Sequence, residues 1–365
     1  QEGYATDIIT DHALAWLDGH RDDDAPFCLM IHHKAPHRNW MADLKYLDLY
    51  EDVEFPEPET LFDDYATRGD QMRQQQLTID RHMGYAFDFK VEELKDEPTL
   101  QYIHDSWDIA MSTLTPEQRR VWDDSYGRKN RDFLADRPEG KELLRWKYQR
   151  YIHDYCRTIR SVDDQIGRVL DYLEENGLMD NTLIVYTSDQ GFLLGEHGLY
   201  DKRFMYEESF RTPLVMRLPG GARGDIAEMV QNIDYAPTFL ELAGVAVPDD
   251  MQGLSLLPLL KGGHPADWRR SLYYHFYEYP AEHMVRRHYG ARNDRWKLIH
   301  FYNDIDQWEL YDLQEDPHEL RNLYGLPEYA APRREMTEEL VRLQTQYGDT
   351  LALRRNGRVT AANGN

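Results

Sequence analysis

The sequence predicts an α/β protein, in which a sheet flanked by helices is followed by a small antiparallel sheet packed with a helix. Three observations predict it. Two apolar runs, Pro26–Ile31 and Thr182–Thr187, read as buried strands ending in polar clusters. From Lys141 to Asn176, the residues Tyr151, Tyr155, Ile159, Val162, Ile166, Val169 and Leu173 recur at three- and four-residue steps, as one buried helix face does. Beyond Gly262-Gly263-His264-Pro265, short strand-like segments alternate with turns. These imply a large domain over 1–262, a smaller one over 263–353, and a tail over 354–365.

The chain opens at Gln1 and passes at once into a helical pattern over Ala5–Leu17; Asp22-Asp23-Asp24 then reads as a solvated turn. Pro26–Ile31 leads into His32-His33-Lys34-Ala35-Pro36-His37-Arg38, where Pro36 favours extended or turn geometry and so sets His37 at a strand exit. His32 and His33 read as satisfied strand-end residues. Residues 60–140 are charged and irregular, a helical excursion carrying Trp107, Trp122 and Tyr126. The long helix follows, with Gly177 as its C-cap, and Asp163-Asp164 reads as part of its solvated face rather than as a second metal site. Thr182–Thr187 delivers Asp189 and Gln190 at its C-terminal end, where α/β sheets bind ligands. A carboxylate and an amide oxygen suit a hard cation such as calcium or magnesium. Lys202, thirteen positions after Asp189, offers a compact positive charge to an anionic group. Pro213–Leu218 is a strand, and Asp234–Leu242 a helix ended by Gly244. The C-terminal strands are Ser271–Phe276, Tyr289–Arg292, Trp296–His300 and Glu309–Leu313, followed by an amphipathic helix over Met336–Tyr347 and a polar, frayed tail from Arg354.

Composition limits the partners. With 66 acidic against 42 basic residues, the formal charge of −24 repels nucleic acid and anionic membranes, so neither is an expected partner. No apolar run reaches membrane-spanning length. Two cysteines cannot build a disulfide framework. A polyanionic sugar would need a locally basic pocket, and the 25 tyrosines suit stacking on sugar faces as well as ordinary cores.

Ser188–Gly220, SDQGFLLGEHGLYDKRFMYEESFRTPLVMRLPG, resembles the C-terminal signature of the type I sulfatases, members of the alkaline-phosphatase-like superfamily with a mixed sheet flanked by helices. Lys34-Ala35-Pro36-His37 is similar to a stretch that the family carries after a central strand, and Trp308–Tyr324, WELYDLQEDPHELRNLY, is similar to its C-terminal subdomain. The resemblance implies that Asp189 and Gln190 are ligands of calcium, or of magnesium, and that Lys202 and His37 are catalytic residues contacting the sulfate. Many members carry Asn or His where Gln190 stands. The family nucleophile is a hydrated formylglycine made from a C/S-x-P-x-R motif. Cys28 is followed by Leu-Met-Ile-His and Cys156 by Arg-Thr-Ile-Arg, and no serine begins such a motif. The family's paired aspartates of the first strand are absent too. The expectation is an N-terminally incomplete sulfatase, inactive alone, whose parent is matured by a formylglycine-generating enzyme and is periplasmic or secreted.

Tyr277–Tyr289 is dense in groups that bind sugar hydroxyls and resembles a stretch of bacterial glycan sulfatases, including N-acetylglucosamine-6-sulfatases. His283 and His288 are candidate substrate contacts there; the other reading is a basic surface loop around Arg286 and Arg287. His197, in Gly195-Glu196-His197-Gly198, either approaches the leaving group or stabilises a turn. The expected activity is removal of O-sulfate from a sulfated glycan, such as 6-O-sulfated N-acetylglucosamine. The alternatives are a phosphonate or phosphodiester hydrolase of the same superfamily and a non-catalytic glycan-binding protein.

Overall fold

The computed structural model describes residues 1–20 and 25–355, which divide into two units. The first comprises 1–62, 77–182 and 194–201; the second comprises 63–76, 183–193 and the chain from Lys202 onward. The expected Asp22–Asp24 turn lies outside the described residues.

The first unit is helical. Helix α1 (Ala5–His20) buries Thr6, Thr10, Ala13 and Leu17, and packs against the long helix that closes the unit. The expected excursion over 60–140 contains α2 (Gln101–Ser112) and α3 (Pro116–Ala135). Thr115 starts α3 with a capping box, its hydroxyl accepting from Gln118 N while the Gln118 side chain accepts from Thr115 N, and Pro116 fills the first turn. Trp107, Trp122 and Tyr126 gather with Ala42, Leu47 and Ala86 in one core cluster. Helix α4 (Gly140–Glu175) runs 36 residues and stops where Gly177 takes φ 67°. Its buried face includes Tyr151, Val162 and Leu173, as expected, and also Lys147, Arg150, Asp154 and Arg157. Asp154 accepts from Tyr126 Oη at 2.8 Å and from Arg157 Nη1 at 2.9 Å, so its buried charge is matched. Asp163 and Asp164 pair with Arg160 at 3.1 and 2.7 Å, an ordinary surface arrangement.

Pro26–Ile31 departs from expectation. It forms no strand: no described residue pairs with it, and Phe27 and Met30 are 40% and 68% exposed. An extended segment without a neighbour turns its N–H and C=O groups to water instead of to a ladder.

In the second unit, β1 (Ile184–Thr187) pairs antiparallel with β2 (Leu214–Arg217), from Ile184↔Arg217 to Thr187↔Leu214. Of the expected sheet of the large domain, the described residues contain this pair. Its inner side, with Leu214 and Met216, packs with Leu183 on the Leu256–Leu260 cluster. Its outer side is open, with Tyr186 and Val215 42% and 64% exposed, so β1 is not buried on both faces as its apolar run suggests. Helix α5 (Tyr235–Leu242) ends before Gly244, at φ 71°. Four antiparallel strands follow in sequential order: β3 (Ser271–Phe276), β4 (His288–Asn293), β5 (Trp296–Phe301) and β6 (Gln307–Asp312). Helix α6 (Ala330–Gln346) buries Met336, Leu340 and Leu343 with Tyr289, Ala291, Leu298 and Leu310 of the sheet. Helix α7 (Thr350–Arg355) takes in the first two residues of the expected tail; the rest lies outside the described residues.

Candidate active site

The loop after β1 carries the acid–amide pair, and its backbone is held on both sides. Ser188 Oγ donates to the Gln190 carbonyl at 2.8 Å, and Asn232 Nδ2 donates to the Asp189 carbonyl at 2.7 Å. The Asp189 side chain is exposed and Gln190 is half-buried. Gly191 follows at a close approach: a Cβ there would stand 2.2 Å from the Glu208 carbonyl oxygen, so only glycine lets the loop pass. Lys202 brings its Nζ to 5.7 Å from the centre of the Phe192 ring, and Phe192 is two residues beyond Gln190. The carboxylate, the amide and the ammonium therefore belong to one loop system of the second unit. Hard oxygen donors suit calcium or magnesium in kind, but two donors are one side of a six- to eight-oxygen shell. Among the described residues, no group of three or more His, Cys, Asp or Glu side chains is placed to complete it.

His37 sits in the first unit and is exposed. Its N–H donates to the Lys34 carbonyl at 2.9 Å, and its Nδ1 meets the Arg38 carbonyl at 2.9 Å. A carbonyl only accepts, so Nδ1 carries the proton and Nε2 is the basic nitrogen of the neutral ring. The next residue is clamped. Arg38 Nε and Nη2 donate to the two oxygens of Asp88 at 2.7 and 2.5 Å, and Gly84 N donates to the same carboxylate at 2.7 Å. The guanidinium lies 5.3 Å from the Phe87 ring centre and 4.9 Å from that of Tyr200. A bidentate, buried, ring-stacked arginine fixes the turn that presents His37. No motif points to Asp88, which stands fifty positions from its partner.

Three candidate histidines are buried. His197 is fully buried at φ 55° and its N–H donates to Thr60 Oγ1 at 2.9 Å, which is the turn-stabilising role. His283 is buried, with Nδ1 3.0 Å from the Gln76 carbonyl. His288 starts β4 pointing inward, its Nδ1 2.8 Å from the Arg286 carbonyl and its ring 4.9 Å from Phe301 and 5.4 Å from Phe276. Burial pushes its pKa down to about 4, so it is neutral near pH 7. The basic-loop reading of this stretch fails as well. Arg286 is buried, bonded to Gln74 and paired with Asp304 at 2.9 Å, while Arg287 Nε is bonded to the Tyr277 carbonyl.

Residues 1–245 match the sulfatase family, and residues 195–346 match the C-terminal region of N-sulphoglucosamine sulphohydrolase. The chain belongs to the sulfatase family. It is similar to an N-acetylglucosamine-6-O-sulfatase of Bacteroides thetaiotaomicron, 48% identical over 357 residues, covering 96% of this sulfatase chain and 63% of that protein. It is 29% identical to the multifunctional alkaline phosphatase superfamily protein PehA of Trinickia caryophylli, covering 94% of this chain and 60% of PehA. The chain thus spans somewhat over half the length of these curated relatives. A solved structure of a protein in complex with its substrate D-glucosamine-2-N,6-O-disulfate superposes with a TM-score of 0.89 at 47% identity, covering 96% of this chain and 71% of that one. A phosphonate monoester hydrolase from Silicibacter pomeroyi shares the fold, with a TM-score of 0.67 at 24% identity over 94% of this chain and 60% of its own. The architecture is alkaline-phosphatase-like, and β3–β6 with α6 form its small C-terminal subdomain.

Proposed function

We propose that this sulfatase hydrolyses a sulfuric ester of a glycan, with 6-O-sulfated N-acetylglucosamine as the sugar. The observation that carries the reading is the loop system in which Asp189 and Gln190 follow β1 and Lys202 returns over Phe192. The activity named for the 48% identical relative supports the choice of sugar. Asp189 and Gln190 would hold one side of a calcium ion, with magnesium as the alternative, and the cation would offset the charge on the sulfate oxygens. Lys202 meets the same anionic oxygens with a compact charge. His37 orients the ester or passes a proton to the departing alcohol. Metal-ion and formylglycine use is general in the family. Cys28 and Cys156 do not stand in a formylglycine-forming sequence, so no residue of this chain is assigned the nucleophile. A maturation enzyme as partner and a periplasmic or secreted location belong to the same proposal. Among the described residues, no helix is long and apolar enough to cross a membrane.

The test is sulfate release by the full-length gene product from 6-O-sulfated N-acetylglucosamine, set against cleavage of a phosphonate monoester under the same conditions. Preferential sulfate release supports the reading. Faster phosphonate cleavage assigns the loop system to that chemistry instead, and sugar binding without turnover makes the protein a glycan binder.

A further inference from the structure

Behind the turn that presents His37, the first unit contains a cavity of about 80 Å³ lined by Gly84, Tyr85, Phe87, Thr99, Ile103 and Trp107. Two of its polar atoms, Trp107 Nε1 and Thr99 Oγ1, are buried and have no hydrogen-bond partner among the described residues. Trp107 is itself almost wholly buried. A buried indole N–H and a buried hydroxyl left unmatched both cost stability, and such costs persist where a ligand supplies the missing partners. The Phe87 wall is shared with the His37 turn: Arg38 lies against its ring, and Asn39 Nδ2 donates to its carbonyl at 3.3 Å.

We propose that this cavity receives the acetamido group of a hexosamine. The indole N–H can only donate, so it suits a carbonyl oxygen; the hydroxyl can accept, so it suits an amide N–H. Phe87 and Ile103 offer an apolar surface to the methyl group. The volume takes a group of a few non-hydrogen atoms and not a whole sugar ring, whose pockets are several times larger. A carboxylate or sulfate would also accept from Trp107, but the lining sets two exposed acids, Asp96 and Asp108, against the single cation Lys95, and the chain's charge of −24 adds to the repulsion. A neutral amide is the group that answers both orphaned atoms without that repulsion. Gly84 marks how closely the wall is drawn, since a Cβ there would stand 2.7 Å from Ile103 Cγ2.

The choice of sugar rests on the sulfated-glycan reading, and the experiment separates the two. Affinities of the full chain for N-acetylglucosamine 6-sulfate and for glucose 6-sulfate, which has a hydroxyl in place of the acetamido group, are measured for the wild type, Trp107→Phe, Thr99→Val, Thr99→Ser and His37→Ala. The wild type should prefer the acetamido sugar by about tenfold, the worth of one to two added hydrogen bonds. Trp107→Phe and Thr99→Val should each bring that ratio toward one, with melting temperatures unchanged or raised because an unmatched polar atom has gone; Thr99→Ser should keep it. His37→Ala should weaken both sugars and leave the ratio alone. A ratio near one in the wild type, or one unmoved by Trp107→Phe and Thr99→Val, overturns the acetamido site. His37→Ala without effect on either sugar counts against the sulfatase reading while the ratio still judges the cavity.

Discussion

Asp189 and Lys202 share a loop system, yet their losses should read differently because the proposed function sets one toward a cation and the other toward an anion. In the full-length enzyme, Asp189→Ala should lower turnover and bound metal together, since a carboxylate is lost from a hard-cation shell. Lys202→Ala should lower turnover by about 10²–10³ with metal content intact, the usual cost of one group aimed at transition-state charge. Metal analysis giving equal loss in both variants removes the distinction. His288 shapes the acid response. Its folded pKa, about 4, is below the ordinary 6.5, so the unfolded chain takes up its proton first and stability falls as pH drops through that interval. The loss approaches roughly 3 kcal/mol at the acid end. His288→Phe should abolish that part of it in denaturant titrations at pH 7 and pH 4.5. Asp189, Lys202 and His37 stand out in the sequence because each lies within a contiguous string with its own chemistry. Histidine type alone does not foretell the burial of His197, His283 and His288, because nothing local to a histidine reports whether its ring faces solvent or a core.

At the level of elements, periodicity found α4 and the four C-terminal strands within a few residues of where they lie. It found less of what α4 buries. A hydrophobic pattern counts Tyr151 and Val162 but passes over Lys147, Asp154 and Arg157, whose burial depends on partners elsewhere in the unit. Thr182–Thr187 misled in the opposite sense: its apolar composition implied two covered faces, but a strand is covered only where neighbours exist, and among the described residues β1 pairs with one strand. The one-turn helix Glu207–Phe210 and β5 are joined by a lysine between two acids. Lys297 Nζ is 2.8 Å from Glu207 and 2.7 Å from Glu319, all three little exposed. One ammonium cannot balance two buried carboxylates. Burial opposes ionisation of Glu207, but Lys297 and Arg292 outweigh it and draw its pKa down to about 2. Burial dominates at Glu319 and pushes its carboxyl up to about 7. A raised acid pKa contributes stability below its unfolded value of 4.5, lost as pH climbs through 7. Glu319→Gln should therefore flatten a decline of about 2–3 kcal/mol between pH 4.5 and pH 7.5, read from urea midpoints. A slope unchanged in the variant would show that the proton is held elsewhere.

For the molecule as a whole, the open side of the β1–β2 pair and the unpaired Phe27–Ile31 segment expose apolar surface next to free ladder positions, a combination that favours self-association. The 365-residue chain should elute from size exclusion at a volume that falls as concentration rises, and Val215→Lys should reduce that shift. A single concentration-independent peak would mean these surfaces do not associate. Each unit is also assembled from separated stretches of chain, and that has a temporal consequence during synthesis, which releases the N-terminus first. Every piece of the first unit has left the ribosome once Asp201 is out. Residues 63–76 must wait far longer, because Gln71 finds its acceptor in Glu309, 238 positions downstream, and Arg68 finds the Glu319 carbonyl, 251 positions downstream. Through that interval the growing chain carries a stretch with no place to dock, and it is this nascent form, rather than the finished one, that chaperones and proteases meet first.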